Sequence, residues 1–204
     1  MVFDADGTLW RGDVGEDFLR FAIHRRIFDA SYERYEALLA ESPARAYAYC
    51  VEVMGGHSEA ELRQHCSTFF TERFQGRIFS FVRPLLKQLE QAGCPVWICS
   101  ASPKWIVVPG ALALGIPESR VIGVTCEVKD GLLTGTVDLP VPVGPGKVHW
   151  LKKFEVSPAL GVGNGDFDVD MLEFSKHGLV ISPPDSRNQL VIGATARGWP
   201  ILSA

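Results

Sequence analysis

The sequence predicts an α/β protein: a parallel sheet with helices on both faces, and a small helical unit inserted after the first strand. Three observations carry the prediction. Beyond Gly76, short continuously apolar runs alternate with helical segments, the pattern of strands buried on both faces. From Val14 to about Phe74 the chain reads as helical. Every cluster of polar, chemistry-bearing residues follows directly on an apolar run, where open α/β sheets bind their ligands.

The elements follow in order. Val2 and Phe3 lead into Asp4-Ala5-Asp6-Gly7-Thr8-Leu9. Extended backbone over residues 2–5 turns Asp4 and Asp6 the same way, because side chains in a strand repeat at every second position. Gly7 then turns the chain with no Cβ to clash. Only three residues precede Asp4, against about five or six in a usual strand. Either the true start lies upstream or the strand is unusually short. In the helical segment, Phe18, Phe21 and Ile23 mark a first helix, and Tyr32, Tyr35, Leu38 and Leu39 a second. Ser42-Pro43 opens a third that runs through Met54 to the stop at Gly55-Gly56, and Ser58 with Glu61 caps a fourth that ends near Phe74. Residues 11–79 carry nine arginines and no lysine, and their aromatics read as bundle core.

The alternating part begins with a helix over Leu85–Ala92, ended by Gly93, and a strand over Val96–Cys99. A helix over Trp105–Leu114 stops at Gly115; Val121–Val128 is extended, and Lys129-Asp130-Gly131 turns it into a second strand through Val137. A helix from near Gly146 to Phe154, a strand at Leu160–Val162, a helix over Val169–Ser175, a strand at Leu179–Ile181 and a last helix over Asn188–Ala196 complete the chain.

A length of 204 residues allows one substantial core with a small accessory unit. The net charge of −4 argues against a polyanion-binding surface, so no nucleic-acid partner is expected. The five cysteines (Cys50, Cys66, Cys94, Cys99 and Cys126) are odd in number, form no C-x-x-C, and read as reduced thiols in a cytoplasmic protein. The N-terminus shows no signal-peptide pattern and no apolar run is long enough for a bilayer, so no membrane partner is expected either.

Four clusters carry chemistry. The Asp4/Asp6 pair can bind a divalent cation and divide nucleophilic from acid–base roles. The whole D-x-D-G-T-L string should arise by chance in well under about one chain in a thousand of this length, which weighs against a merely solvated turn. Ser100-Ala101-Ser102, after the strand at Val96–Cys99, offers a hydroxyl and backbone N–H groups to a phosphoryl oxygen. Lys147 opens a helix, where the macrodipole disfavours a cation, and so points to an anion nearby. Val148 follows it in place of Ser or Thr, so the phosphate-loop pattern fails. Gly163-Asn164-Gly165-Asp166-Phe167-Asp168-Val169-Asp170 crowds more oxygen donors into a strand-to-helix turn than one helix cap requires; facing another carboxylate pair, they make a hard-cation site, most plausibly for Mg²⁺. Its glycines do not follow the first strand of a dinucleotide unit, which rules that reading out.

On these motifs the chain resembles the haloacid dehalogenase-like (HAD) superfamily of aspartate-nucleophile hydrolases, and within it the phosphoserine phosphatase-like group. Asp4-x-Asp6-Gly7-Thr8, Ser100, Lys147 and the acidic turn from Gly163 to Asp168 match its four motifs in order. The resemblance implies a Rossmann-like core over residues 1–10 and 80–204, a hairpin flap near 121–137 and a helical cap over 11–79. It implies Asp4 as nucleophile and Asp6 as acid and base. Thr8, Ser100, Ala101 and Lys147 would bind phosphate; Asp4, Asp6 (through its carbonyl), Asn164 and Asp168 would hold Mg²⁺. The chain departs from the group at Asn164, where an aspartate is usual. An amide can ligate through oxygen but removes one negative charge, so weaker Mg²⁺ binding is expected. Sliding the motif by two residues would place Asp166 and Asp170 at the acidic positions instead; the first register needs no gap.

The resemblance further implies a small phosphorylated metabolite as substrate, a monomer or homodimer, and a cap that selects the substrate. Asp13 falls where an acidic residue greets the substrate amine, and Arg45, with Arg63, Arg73 and Arg77, is a candidate for a substrate carboxylate. The leading activity is a Mg²⁺-dependent phosphomonoesterase working through an aspartyl-phosphate. Two alternatives stand beside it: a catalytically impaired phosphate- or metabolite-binding protein, and a haloacid dehalogenase, against which Asp6 argues.

Overall fold

The computed structural model of the protein describes residues 1–182 and 188–204. Among them, six strands form one parallel sheet in the order β3-β2-β1-β6-β7-β8: β1 (Val2–Phe3), β2 (Trp97–Pro103), β3 (Val121–Val124), β6 (Leu160–Gly163), β7 (His177–Ser182) and β8 (Ile201–Ser203). A two-stranded antiparallel hairpin, β4 (Cys126–Lys129) with β5 (Leu132–Val137), stands apart from it. Helices α1 (Val14–His24), α2 (Tyr32–Glu41), α3 (Pro43–Glu52) and α4 (Glu59–Arg73) follow β1, and α5 (Val82–Gln91) precedes β2. The helices α6 (Lys104–Ala113), α7 (Pro145–Lys153), α8 (Val169–Phe174) and α9 (Gln189–Ala194) connect later strands. No helix among the described residues is long and apolar enough to cross a membrane.

Alternation along the strands builds two apolar layers. Phe3, Ile98, Val121, Val162 and Ile181 face one core, and their neighbours Val2, Cys99, Ile122 and Val180 face the other. The first core continues into α1, α4, α5 and α6; the second takes Leu151 of α7, Met171 and Leu172 of α8 and Leu190 of α9. A further cluster of Leu19, Tyr35, Ala46, Tyr49 and Cys50 ties α1, α2 and α3 together. Helix α4 docks on α6 through Gly110. A Cβ there would stand 2.6 Å from the Trp10 ring and 2.7 Å from that of Phe70, which themselves meet edge-on at 5.3 Å.

The strand β1 has two residues, and its ladder extends beyond them through Trp97 N–H to the Met1 carbonyl (2.9 Å) and Asp4 N–H to the Val162 carbonyl (2.8 Å). It lies mid-sheet, where the strand order runs to β2 and β3 on one side and to β6, β7 and β8 on the other. That switch point opens a crevice beyond the strand ends.

Several boundaries differ from those expected. The extended run 121–128 is two strands: Thr125 separates β3, in the main sheet, from β4, in the hairpin. The strand expected at Val96–Cys99 continues through Ser100 to Pro103, with an irregular register against β3. Strand β8 was not anticipated, because Ile201–Ser203 is too short to show a period. The hairpin is docked rather than free: Gly56 N–H donates to the Leu133 carbonyl (2.8 Å) and Leu133 N–H to that of His57 (3.0 Å).

Candidate active site

Asp4 is the first residue after β1, so the strand sets its carboxylate at the mouth of the crevice. The turn that follows needs glycine at position 7. Its φ is +74°, and a Cβ there would fall 2.2 Å from the Asn164 amide. Asp6, beyond the strand, is held by three donors: Trp10 Nε1 (2.7 Å) and Val14 N–H (2.7 Å) on Oδ1, and Ser102 Oγ (2.6 Å) on Oδ2. Val14 begins α1, whose N-terminus favours a carboxylate. Ser100 Oγ accepts from Ser102 N–H (3.0 Å), which shapes the end of β2.

Lys147, in the first turn of α7, is 1% exposed and lies between two carboxylates: Nζ donates to Asp4 Oδ1 (2.6 Å) and to Asp168 Oδ1 (2.5 Å). These are the anions that a lysine at a helix start calls for. Burial alone would lower the Lys147 pKa, but the charges of Asp168 and Asp4 outweigh it and hold the ammonium above its ordinary range. Burial, and then the charge of Asp168, pushes Asp4 up to about 7 against the opposing pull of Lys147. Burial, with Asp13 and Asp4 as neighbouring negative charges, raises Asp6 well above the usual carboxylate range.

These groups meet in one cavity of about 180 Å³. Of the residues singled out by sequence, Asp4, Asp6 and Asp13 line it from the β1 side, Ser100 and Ala101 from β2, and Lys147, Asn164 and Asp168 from the α7 and β6 ends. Thr8 is buried just behind, its Oγ1 3.3 Å from Asp4 Oδ2. Asp13 also caps α1 by accepting from Glu16 N–H (2.8 Å), and burial raises its pKa.

Arg45 does not join them. It is exposed, paired with Glu41 at 2.7 Å, and lines a separate hollow of about 690 Å³ between α2, α3 and residues 139–146. Arg63 is paired with Glu59 and Glu118, and Arg77 with Asp17. Two residues that sequence reasoning left without a role, Trp10 and Tyr47, belong to the site, and Ser102, expected only as part of the phosphoryl-binding cluster, also takes another role there. Ser102 and Trp10 hold Asp6, and Tyr47 of α3 lines the cavity. Trp10 and Tyr47 look in the sequence like any core aromatic, so only the tertiary contact distinguishes them.

The acidic turn resolves into distinct jobs. Asp168 has both oxygens engaged, Oδ1 by Lys147 and Oδ2 by the N–H groups of Asn164 (2.9 Å) and Gly165 (3.0 Å). Asp168 thereby orients Lys147, and any contact with a cation would come from oxygens that already accept these bonds. Asp166 accepts from Leu190 N–H (2.9 Å), and Asp170 lies beside Gly144, so the register through Asn164 and Asp168 is the one that reaches the cavity. The donors left for a cation are Asp4 Oδ2, the Asp6 carbonyl and the Asn164 amide. The inward end of that amide is 3.2 Å from the first and 2.8 Å from the second. Adjacent ligands of an octahedral Mg²⁺ at roughly 2.0–2.1 Å stand about 2.9 Å apart, so the set fits such an ion. It carries a single carboxylate, and among the described residues no group of three or more His, Cys, Asp or Glu side chains is arranged to hold a metal ion by itself.

The sequence profile of haloacid dehalogenase-like hydrolases matches residues 1–173. The phosphoserine phosphatase SerB1 of Mycobacterium tuberculosis is 25% identical over 216 residues, spanning 98% of this chain and 68% of that protein. A crystal structure of a protein with unknown function from Bordetella pertussis Tohama I has the same fold, with a TM-score of 0.81 at 21% identity over 99% of this chain and 96% of that one. A phosphoserine phosphatase in the form of a phospho-aspartyl intermediate analogue superposes with a TM-score of 0.62 at 17% identity, over 96% of each chain. With the profile matching most of its length, this chain belongs to the haloacid dehalogenase-like hydrolase family.

Proposed function

We propose that this hydrolase is a phosphomonoesterase acting on a small phosphorylated metabolite, with Asp4 as the nucleophile. The observation that carries the reading is the buried Asp4–Lys147–Asp168 chain set beside Asp6 in one cavity. Phosphoryl transfer asks mainly for charge neutralisation and alignment of attacker with leaving group. Lys147 offsets the charge of Asp4 and of an incoming phosphate dianion, and Asp168 holds Lys147 in place. Ser100 and the backbone N–H of Ala101 take phosphoryl oxygens, with Thr8 bracing Asp4 from behind.

Asp4 attacks phosphorus, the bond from phosphorus to the ester oxygen breaks, and Asp6 passes its proton to the departing alcohol. Burial, with Asp13 and Asp4 as neighbouring charges, raises the Asp6 pKa, a direction that favours its carrying a proton to give. Asp6 then takes a proton from water, which attacks phosphorus, releasing inorganic phosphate and free Asp4. Mg²⁺ held by Asp4, the Asp6 carbonyl and Asn164 would supply further neutralisation of phosphoryl charge. The relative named phosphoserine phosphatase and the aspartyl-phosphate analogue structure support this reading.

We assign substrate selection to α1–α4 as a cap over the core, since Asp13 and Tyr47 bring that segment to the cavity wall; Arg45 has no part in it. Five free thiols, four of them buried, fit a reducing compartment such as the cytoplasm. Hydrolysis of p-nitrophenyl phosphate in Mg²⁺ tests the assignment. Asp4→Asn should lose at least about a thousandfold in kcat while staying folded, in line with loss of a group acting in the transition state. Retained turnover would remove Asp4 from the role, and phosphate binding without turnover in the wild type would favour the impaired binding protein.

A further inference from the structure

The side-chain amide of Asn164 has an unusual set of neighbours. Its inward end lies 2.9 Å from Thr8 Oγ1, 3.2 Å from Asp4 Oδ2 and 2.8 Å from the Asp6 carbonyl. A carbonyl has no proton to give and an ionised carboxylate none either. An amide oxygen placed there could accept from the Thr8 hydroxyl but would face two bare acceptors, Asp4 Oδ2 and the Asp6 carbonyl, whereas an amide nitrogen can donate toward them. The hydrogen-bond network therefore puts the nitrogen inward. Thr8 accepts from it and passes its own proton toward Asp4 Oδ2 at 3.3 Å. These acceptors include the two oxygens, Asp4 Oδ2 and the Asp6 carbonyl, that complete the cation set, and the separations match octahedron edges.

We propose that Asn164 is a two-ended residue that keeps this site assembled whether or not a cation is bound. Without the ion, the two N–H bonds of its amide hold the Asp6 carbonyl and Thr8, and Thr8 in turn donates to Asp4. With the ion, the amide turns over and its oxygen becomes a ligand. The torsion that turns an Asn amide is broad and two-fold, so the exchange needs no backbone movement. The outward end lies against Gly7, which has no Cβ to obstruct either end. An aspartate at this position would instead face Asp4 as a like charge whenever the ion is absent. Asn164 thus trades cation affinity for an active site that is ordered without one. The inference rests on reading the pocket as a cation-assisted phosphoryl-transfer site, but its test needs no turnover.

The test compares wild type with Asn164→Asp in EDTA and across a Mg²⁺ titration, by thermal unfolding and by calorimetric binding. The wild type should keep nearly the same Tm in EDTA and in Mg²⁺. Asn164→Asp should unfold at lower temperature in EDTA, recover in Mg²⁺, and bind Mg²⁺ at least about tenfold more tightly, or about 1.4 kcal/mol. Equal Mg²⁺ affinities, or a wild type as sensitive to EDTA as the variant, would overturn the proposal. If the variant does not fold in EDTA, the side-chain NH₂ resonances of Asn164 in the wild type decide. They should exchange slowly with solvent in EDTA and shift on Mg²⁺ addition; rapid exchange in EDTA overturns it. Absence of p-nitrophenyl phosphate hydrolysis in both proteins, with these cation responses intact, would defeat the functional reading and leave this one standing.

Discussion

Lys147 shows how strongly a single side chain can be committed. Its ammonium lies between Asp4 and Asp168, and all three are buried. Removing one member of such a group leaves uncompensated charge behind, which costs about 3–5 kcal/mol. We expect Lys147→Met to lose stability of that order in urea unfolding at pH 7. It should lose less at pH 5, where the stranded Asp4 can take up a proton. The wild type in chelator has a related signature. The folded pKa of Asp4, about 7, lies above its unfolded value of about 3.9, so the folded state binds the extra proton between them. That contribution to stability is complete below pH 4 and is lost as pH rises through 7. The difference in Tm between wild type and Asp4→Asn should therefore fall across this window, and a flat difference would refute the raised pKa.

At the scale of elements, the junction between α4 and α6 decides how the helical segment sits on the sheet. Two kinds of contact hold it. Arg63 reaches Glu59 and Glu118 at 2.8 Å, and Trp105 Nε1 donates to Glu59 at 3.0 Å. Beneath them, Gly110 admits Trp10 and Phe70 to close approach. The ion pairs are partly exposed, so solvent screening leaves them under about 1 kcal/mol. Packing should dominate. Gly110→Ala is expected to cost about 1–3 kcal/mol by forcing the two rings apart, and Arg63→Ala less than about 1 kcal/mol. Urea unfolding of the two variants measures both, and the opposite ranking would show that the charged cluster is the main clasp.

For the whole molecule, the two cores on either face of the sheet and the cluster among α1–α3 together enclose four of the five thiols. Cys50, Cys66, Cys99 and Cys126 are buried, and Cys94 is partly exposed. Burial raises the thiols of Cys50 and Cys66, and pushes Cys99 up to about 12, so little thiolate forms at neutral pH. Alkylation of the native protein at pH 7.5 should modify Cys94 alone, and all five cysteines after denaturation, with peptide mass spectrometry as the readout. Rapid native labelling of Cys66 would mean that the α4 face opens in solution.

Much of this molecule was legible in its residue order. Helical spacing, the proline at position 43 and the serine at position 58 marked α1–α4 closely, because caps and periodicity are local properties. Apolar runs marked β2, β6 and β7 for the same reason, and the D-x-D-G-T-L string, Lys147 and the glycine-flanked asparagine marked three sides of one site. Local pattern could not show that the run at 121–128 splits between two sheets, or that Ile201–Ser203 adds a strand, since both depend on which partner a backbone finds. Nor could it assign roles within the acidic turn. The kinds of residue the chemistry requires are written in the chain itself. The tertiary structure alone decided that Asp168 serves Lys147, that Ser102 and Trp10 hold Asp6, that Tyr47 reaches the cavity while Arg45 pairs on the surface, and that Asn164 meets Asp4. Hydrogen bonds between groups as many as 156 positions apart exist only once the sheet has brought its strand ends together.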